Sequence, residues 1–319
     1  MQARPGLWRQ TPPAIFPPIL GLYGAVLGWR LAAGQGGGAL AGPAETALGM
    51  VSALYAFALL AYLAKVMRRP ATVIADFGTL PGRLGLSTMS MSLMLAGQGV
   101  LVYRPGAALA LLWLGLGVHL ALILAMAWRL ATSPAEARRP APDWHLVFVG
   151  PIVAPAALLR LGLTTPAGVI FALTLAAAAV IGALSAVDLA RRTVPAPLRP
   201  LLAIHLSPVS LLAGVALLLG HRGLGVALAL LALILLAVLL ARLPWLIGAG
   251  FSPFWGAFTF PLSAFAGMLL IVGEAAPAAR FASAPALAAA TVVSAAVAVA
   301  VLRRWARGEL AARTAAARA

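Results

Sequence analysis

The sequence predicts an all-α integral membrane protein with ten transmembrane helices arranged as five helical hairpins. Of its 319 residues, 63% are hydrophobic and only 9% are charged, whereas soluble domains carry about 25% charged residues. The mean hydropathy is +1.01. A spanning helix needs about 20 apolar residues, so ten spans with short loops use nearly the whole chain. We therefore expect a single transmembrane domain over residues 1–319, with a short N-terminal segment (1–13) and a C-terminal tail (303–319).

Two kinds of hydrophobic segment alternate along the chain. Those of the first kind are interrupted by Pro, Gly, Ser or Thr and cover residues 16–29, 85–102, 146–161, 201–219 and 254–272. Those of the second kind are almost purely Ala, Leu and Val and cover residues 47–66, 107–130, 168–189, 223–247 and 287–302. Lipid tolerates irregular backbone only where protein or a water-filled path satisfies the freed polar groups. The odd-numbered helices are therefore predicted to line a central pathway, with the even-numbered helices outside them against lipid.

Prolines mark four of the five interrupted helices. They are Pro17 and Pro18, Pro151 and Pro155, Pro208, and Pro261. The third helix carries hydroxyl residues instead, at Ser87, Thr88, Ser90 and Ser92. A proline removes a backbone hydrogen bond and kinks a helix, which would leave carbonyls and hydroxyls facing inward. The alternative is that these are ordinary prolines, which are common in membrane helices; their restriction to odd helices favours the pathway.

The basic residues are distributed unequally between the two ends of the predicted helices. Of 23 Lys and Arg residues, five fall on the side opposite the termini: Arg30, Arg104, Arg160, Arg222 and Arg280. All others fall on the side of the termini. The positive-inside rule then predicts that both termini are cytoplasmic. We expect the protein to lie in the inner membrane of the cell. This pattern explains the net charge of +16 without a nucleic-acid partner. The predicted environment is the lipid bilayer.

The acidic residues argue against several function classes. All seven lie in predicted loops or at helix ends, whereas proton relays and cation-coupled transporters use ionisable groups within the membrane. Membrane enzymes that hold magnesium and diphosphate need clustered aspartates, which this sequence lacks. The chain also has no cysteine, so it has no disulfides and no thiolate metal sites. We expect no enzyme activity, no cofactor and no metal site. An uncharged path with basic rims suits small anions.

Two side chains are individual candidates for the pathway. His205 lies three residues before Pro208 on a predicted inner helix, so it either faces the pathway or is a hydrogen-bonded packing histidine, which is the more common case. Phe260 lies between Thr259 and Pro261 in the aromatic stretch 251–261. An inward phenylalanine on a kinked helix forms an apolar constriction, although spacing alone favours ordinary packing.

Several segments resemble the tellurite-resistance/dicarboxylate transporter family, which includes bacterial TehA-type proteins and the plant slow-type anion channels of guard cells. The segments are FPPILGLYG at 16–24, PDWH at 142–145, LRPLLAIHLSP at 198–208, LPW at 243–245 and FWGAFTFP at 254–261. The resemblance implies ten helices with quasi-fivefold symmetry, odd helices around a pore, and a homotrimer with one pore per protomer. It also implies that Phe260 is the gate.

Together these observations predict a channel or transporter that passes small anions through a phenylalanine-gated pore. The alternative is a coupled carrier that exports tellurite or C4-dicarboxylates by alternating access. The candidate lining residues are Pro17, Pro18, Ser87, Ser90, Pro151, Pro155, His205, Pro208, Thr259 and Pro261.

Overall fold

The computed structural model describes residues 7–35, 38–134 and 138–319, and these form helices and connecting turns without β-strands. The α-helices are α1 (Phe16–Gln35), α2 (Ala41–Arg68), α3 (Ala71–Phe77), α4 (Leu80–Val100), α5 (Pro105–Thr132), α6 (Pro155–Arg160), α7 (Thr164–Arg191), α8 (Leu206–Leu218), α9 (Arg222–Ala241), α10 (Leu243–Ile247), α11 (Gly256–Val272), α12 (Pro277–Ala306) and α13 (Leu310–Arg313). Short 3₁₀ segments occupy Leu7–Arg9, Pro13–Ile15, Gly150–Val153, Ala196–His205 and Pro253–Trp255, and a π-helical segment occupies His145–Val149.

Eight helical segments among the described residues are long and apolar enough to cross a membrane. They are Pro13–Gln35, Ala41–Arg68, Pro105–Thr132, Thr164–Arg191, Ala196–Leu218, Arg222–Ala241, Pro253–Val272 and Pro277–Ala306. Their lengths of 20–30 residues match the thickness of a bilayer core. This finding confirms a multi-pass, all-helical membrane protein, and eight of the ten predicted spans.

The two remaining predicted spans differ from regular apolar helices. α4 is continuous over 21 residues, but it is less apolar because Ser, Thr and Gly interrupt it. Residues 145–160 change from π-helix to 3₁₀-helix to α-helix. Pro151 and Pro155 lie in this segment, and a proline lacks the N–H that would continue a regular hydrogen-bond ladder. The sequence therefore predicted the positions of both segments, but it did not predict how often the helix type changes within residues 145–160.

Burial separates the spans that correspond to the interrupted segments from those that correspond to the smooth segments. About two thirds of the residues are buried in the spans that contain α1, α8 and α11, with values of 61%, 67% and 61%. The corresponding shares are 33%, 28%, 22%, 11% and 33% in α2, α5, α7, α9 and α12. The interrupted segments therefore lie inside the bundle, and the smooth segments lie on its surface.

The interrupted segments form a closed ring, which we call the inner ring. It consists of α1, α4, residues 145–160, residues 196–218 and residues 253–272. Each contacts the next in chain order, and the last contacts α1. Small residues permit the closest of these contacts: a methyl group on Gly21 would overlap Thr259, so α1 and α11 pack almost backbone to backbone.

The beginning of the described chain and the C-terminal residue lie at one end of the bundle, where a buried ion pair holds the tail. The amide of Ala319 donates to the carbonyl of Arg9 at 2.9 Å. Lys65 and Asp76 are fully buried and paired at 2.7 Å. Asp76 also accepts hydrogen bonds from Tyr62 Oη at 3.0 Å and from the Ala317 amide at 2.8 Å. We call this end of the bundle the terminal side and the opposite end the mouth side.

Turn formers and basic residues in segment 68–84 favour a solvated linker; residues 68–71 are exposed as expected, but the segment is also anchored to the bundle. The segment contains helix α3, the buried Asp76, and Arg83, whose Nε lies 2.8 Å from Oδ2 of the buried Asp143. The second ion pair joins α4 to the start of residues 145–160. Opposite charges that are distant in sequence fold this connection against the bundle, because a buried carboxylate needs a cationic partner.

Candidate functional site

A cavity of about 490 Å³ lies at the mouth side of the inner ring. We call it the mouth cavity. Every member of the inner ring contributes to its lining, for example through Gly28, Gln98, Ala156, Ser210 and Ser263. No lining residue comes from α2, α5, α7, α9 or α12. The mouth cavity is therefore the interior of the ring rather than a crevice between surface helices.

A second, much smaller cavity lies deeper in the same ring. We call it the inner cavity. Its volume is about 30 Å³, which is roughly the share of one water molecule in the liquid. All five members of the ring line it, for example through Pro17, Thr88, Leu146, Ser207 and Ala257. Its lining contains no charged side chain.

Among the described residues, Phe260 is the only one that lines both cavities. Its side chain is 5% exposed and belongs to α11, one residue before Pro261. Gly24 of α1 lies beside the ring: a methyl group there would approach Phe260 Cδ2 to 3.2 Å and Cβ of Ser263 to 2.8 Å. The ring therefore contacts both cavities, and the missing side chain at position 24 makes room for it.

Hydroxyl groups fix α11 against α1 on either side of this phenylalanine. Thr259 Oγ1 donates to the carbonyl of Gly256 at 2.7 Å and lies 3.2 Å from that of Pro17. Ser263 Oγ donates to the carbonyl of Gly21 at 2.9 Å. Thr259 is fully buried in this interface. These contacts fix the orientation of α11 and therefore of Phe260. Thr259 itself lines neither cavity.

The prolines of the inner ring lie mostly at helix starts and at changes of helix type, and Pro261 lies inside a helix as predicted. Pro17 and Pro18 lie in the first turn of α1 and Pro208 in that of α8, where the missing N–H is tolerated. Among the inner-ring prolines predicted to lie mid-helix, only Pro261 lies inside a long α-helix. The even-numbered helix α12 also contains an internal proline, Pro285. Changes of helix type are therefore more frequent in the inner ring than prolines inside a regular α-helix.

The predicted lining residues separate into three groups. Pro17 and Pro261 line the inner cavity together with Phe260. The others, apart from His205, line neither cavity and are Pro18, Ser87, Ser90, Pro151, Pro155, Pro208 and Thr259. Ser90, for example, donates to the Ser87 carbonyl at 2.9 Å and contacts Nδ1 of His119 at 2.7 Å. It thereby joins α4 to α5.

His205 lies outside the pathway. Its Nδ1 bonds the carbonyl of Leu202 at 3.1 Å, and its ring packs edge-on against His145 with centroids 4.9 Å apart. The residue lines a third cavity, between α7 and α9. His205 thus has the contacts of a packing histidine and lines neither the mouth cavity nor the inner cavity.

Two arginines line the mouth cavity in different electrostatic settings. Arg30 Nε lies 2.6 Å from Oε1 of Glu45, and its Nη1 donates to the carbonyl of Gly99 at 2.6 Å. Tyr103 Oη donates to the same carboxylate at 2.7 Å, and this hydrogen bond raises the pKa of Tyr103 above its usual value. Arg160, in contrast, has no ion pair or hydrogen bond from its side chain to any described residue. The sequence placed both arginines at this end of the helices, but it did not predict that Glu45 compensates the charge of Arg30.

The described residues contain no group of side chains arranged to hold a metal ion. The hydroxyls of the inner cavity, Thr88 and Ser207, donate to carbonyls of their own helices at 2.9 and 3.0 Å. The narrow part of the ring is therefore apolar and held by its own hydrogen bonds. This arrangement suits a constriction better than a catalytic centre.

Comparison with known families agrees with this geometry. A family model described as voltage-dependent anion channel (SLAC1) matches residues 10–304. The chain belongs to the voltage-dependent anion channel family. Comparison with curated proteins gave no match. The family resemblance predicted from the sequence is thereby confirmed.

Membership of the anion channel family covers the whole bundle. The matched residues include every member of the inner ring and every surface helix. They stop before α13 and the last residues of the tail. Proteins of this family are channels and transporters, so the general assignment to anion transport rests on the same elements that form the two cavities.

Proposed function

We propose that this protein is an anion channel whose pore runs through the inner ring and is closed by the ring of Phe260. The observation that supports the proposal is that, among the described residues, only Phe260 lines both of two cavities that are formed by the same five segments. One cavity is wide, at about 490 Å³, and the other admits about one water molecule. An apolar neck of this kind stops ions because it excludes water.

The charge distribution supports anions as the permeating species. The inner cavity has no charged lining residue, and the mouth cavity presents the unpaired Arg160. Its one acidic lining residue, Glu274, accepts a hydrogen bond from Gln35 at 3.1 Å. Glu274 remains charged, so the preference for anions rests on the constriction, where a cation would find no compensating carboxylate among the described residues.

The larger architecture belongs to the same proposal. We infer ten spans, made of the five members of the inner ring and their five surface partners, in a quasi-fivefold arrangement. The resemblance described above supports a homotrimer in the inner membrane with one pore per protomer. The mass of the detergent-purified complex, measured by native mass spectrometry, tests the trimer.

Substitution of Phe260 by alanine tests the gate directly. Removal of the ring joins the two cavities, so we expect a large rise in anion current across a planar bilayer. The same change leaves a void that destabilises the protein by roughly 3–5 kcal/mol. The matched control is Phe258→Ala, since Phe258 lines neither cavity and packs edge-on against Trp255 at 5.9 Å. We expect little change in current from this control.

Three outcomes would contradict the proposal. Equal currents in the two variants, with both proteins correctly folded, would return Phe260 to a packing role. Reversal potentials in the Phe260→Ala variant that follow potassium rather than chloride would reject an anion pore. Saturating flux that depends on a co-transported ion, without single-channel currents, would instead indicate a coupled carrier of tellurite or C4-dicarboxylates.

A further inference from the structure

A lateral slot of about 740 Å³ opens between α7 and α9. Its volume lies within the range of about 300–1,000 Å³ that is typical of small-molecule sites. It has no lining residue in common with the mouth cavity or the inner cavity. Only 22% of α7 and 11% of α9 is buried, so the slot faces the bilayer. It is a second site, independent of the pore.

The slot has the depth of one lipid leaflet. Along α7 its lining extends from Ala178 to Leu189, which corresponds to about 16 Å of helix axis. Half of the hydrocarbon core is about 15 Å thick. Leu189 lies close to the terminal-side end of α7 at Arg191. The small residues Gly182 and Ala183 line the wall, so the slot offers the width and length of an extended acyl chain within this leaflet.

Polar atoms interrupt the apolar lining. His145 and Ser185 both line the slot and are only 4% and 6% exposed. Their Nδ1 and Oγ atoms have no hydrogen-bond partner among the described residues, and neither has Nε2 of His205. Unsatisfied buried polar groups are costly. The ester and hydroxyl oxygens of a lipid glycerol region provide the acceptors and donors that these groups lack, and an acyl chain alone does not.

The rim of the slot on the terminal side is basic and aromatic. Arg242 and Trp245 line it. The guanidinium of Arg199 lies 4.4 Å from the centre of the Trp245 ring, which fixes the indole in place. Among the described residues, Arg242 has no ion pair or hydrogen bond from its side chain. Tryptophan favours the membrane interface, and an arginine there pairs well with phosphate oxygens.

From these features we propose that the lateral slot binds one anionic phospholipid from the leaflet on the terminal side. Its acyl chain lies between α7 and α9, its glycerol region contacts Ser185 and the histidine pair, and its phosphate pairs with Arg242. Charge complementarity at the rim selects this occupant over a neutral lipid. The alternative occupant, a surface helix of a second copy, offers no phosphate to Arg242.

The test compares lipids bound to the full-length protein after delipidation in detergent. The probes are phosphatidylglycerol and phosphatidylcholine with identical acyl chains, and bound lipid is counted by native mass spectrometry. For the wild type we expect one retained phosphatidylglycerol per chain, favoured about fivefold over phosphatidylcholine for one arginine at the interface. Arg242→Gln should lose this preference, whereas Arg129→Gln, an exposed arginine at the end of α5, should retain it.

A filling substitution tests the slot itself. Ala183→Leu should abolish the retained lipid. Ala125→Leu should not, because Ala125 is exposed at a similar depth on α5 and lines none of the cavities. Equal lipid retention by these two variants would show that the retained lipid is a non-specific boundary lipid, and it would overturn the proposal. A change of oligomeric mass in Ala183→Leu with unchanged lipid content would assign the slot to a second copy instead.

Discussion

At the scale of single residues, Arg30 and Arg160 show how similar side chains differ in function. Both line the mouth cavity. The charge of Arg30 is compensated by Glu45 at 2.6 Å, so its field largely cancels a few ångströms away. Arg160 carries an uncompensated charge. The same cavity contains the carboxylate of Glu274, so its lining is not of one sign. A positive side chain attracts anions to its own surroundings, so Arg160 is the residue that we expect to draw anions to the mouth.

Substitution of Arg160 by glutamine should lower anion current through a pore already opened by Phe260→Ala. We expect a decrease of several fold at about 0.01 M salt, where charges act over about 30 Å, and almost none at 1 M, where they act over about 3 Å. Bilayer recordings over this range of salt measure the effect. The control is Arg222→Gln, at the same end of the bundle but outside both cavities. The same loss in both variants, or a loss that persists at 1 M salt, would exclude this role.

Individual site residues were predictable only in part. Phe260 followed from the family resemblance, and spacing alone did not distinguish it from its aromatic neighbours. Gly24, which makes room for the ring, gave no signal because its role depends on a contact between α1 and α11. His205 gave a misleading signal, since its distance from Pro208 along the chain does not show which side of the helix faces the pore.

At the scale of secondary-structure elements, buried ion pairs hold the connections on the terminal side. Lys65 of α2 and Asp76 of α3 are both fully buried. Asp76 also accepts the amide of Ala317, so the same carboxylate fixes the tail. Removing one partner from such a pair is far more costly than removing both, because it leaves an uncompensated buried charge.

Asp76→Asn should therefore lower the stability of the folded protein by about 3–5 kcal/mol. The measurement is thermal unfolding of the purified protein in detergent. Lys65→Met in the Asp76→Asn background should recover part of the loss, because it removes the buried charge left behind. Asp188→Asn is the control, since Asp188 forms an exposed pair with Arg192 at 3.5 Å, and such pairs contribute little. A double variant less stable than Asp76→Asn would show that charge compensation is not the reason.

Elements were predictable where their physical cause is local. Long runs of Ala, Leu and Val specify α5, α7 and α9 because hydropathy and helix length are properties of one segment. The break in residues 145–160 and helix α3 were missed because they depend on distant partners. Arg83 and Asp143, for instance, are 60 residues apart in the chain and gave no local pattern.

At the scale of the whole molecule, the structure and the charge distribution together predict the orientation in the membrane. The beginning of the described chain and the C-terminal residue share one end of the bundle, where Ala319 bonds Arg9, and most of the basic residues lie at that end. We expect a reporter fused after Ala319 to be active only in the cytoplasm. A second reporter inserted at Gly162, in the mouth-side turn between α6 and α7, should be active only on the opposite side. Periplasmic activity of the first fusion would reverse the orientation.

The unequal size of the two cavities has an electrical consequence. The mouth cavity is wide enough to admit water and ions, whereas the inner cavity holds about one water molecule. In the proposed pore the mouth cavity is a conducting vestibule, which sustains little electric field, so we expect most of the membrane potential to fall across the short stretch from Phe260 to the terminal side. An anion that arrives from the mouth does little electrical work until it meets the ring. The transmembrane potential corresponds to about 2.3 kcal/mol for each elementary charge and each 100 mV. Nearly all of this electrical work is expected over the few residues beyond the Phe260 ring.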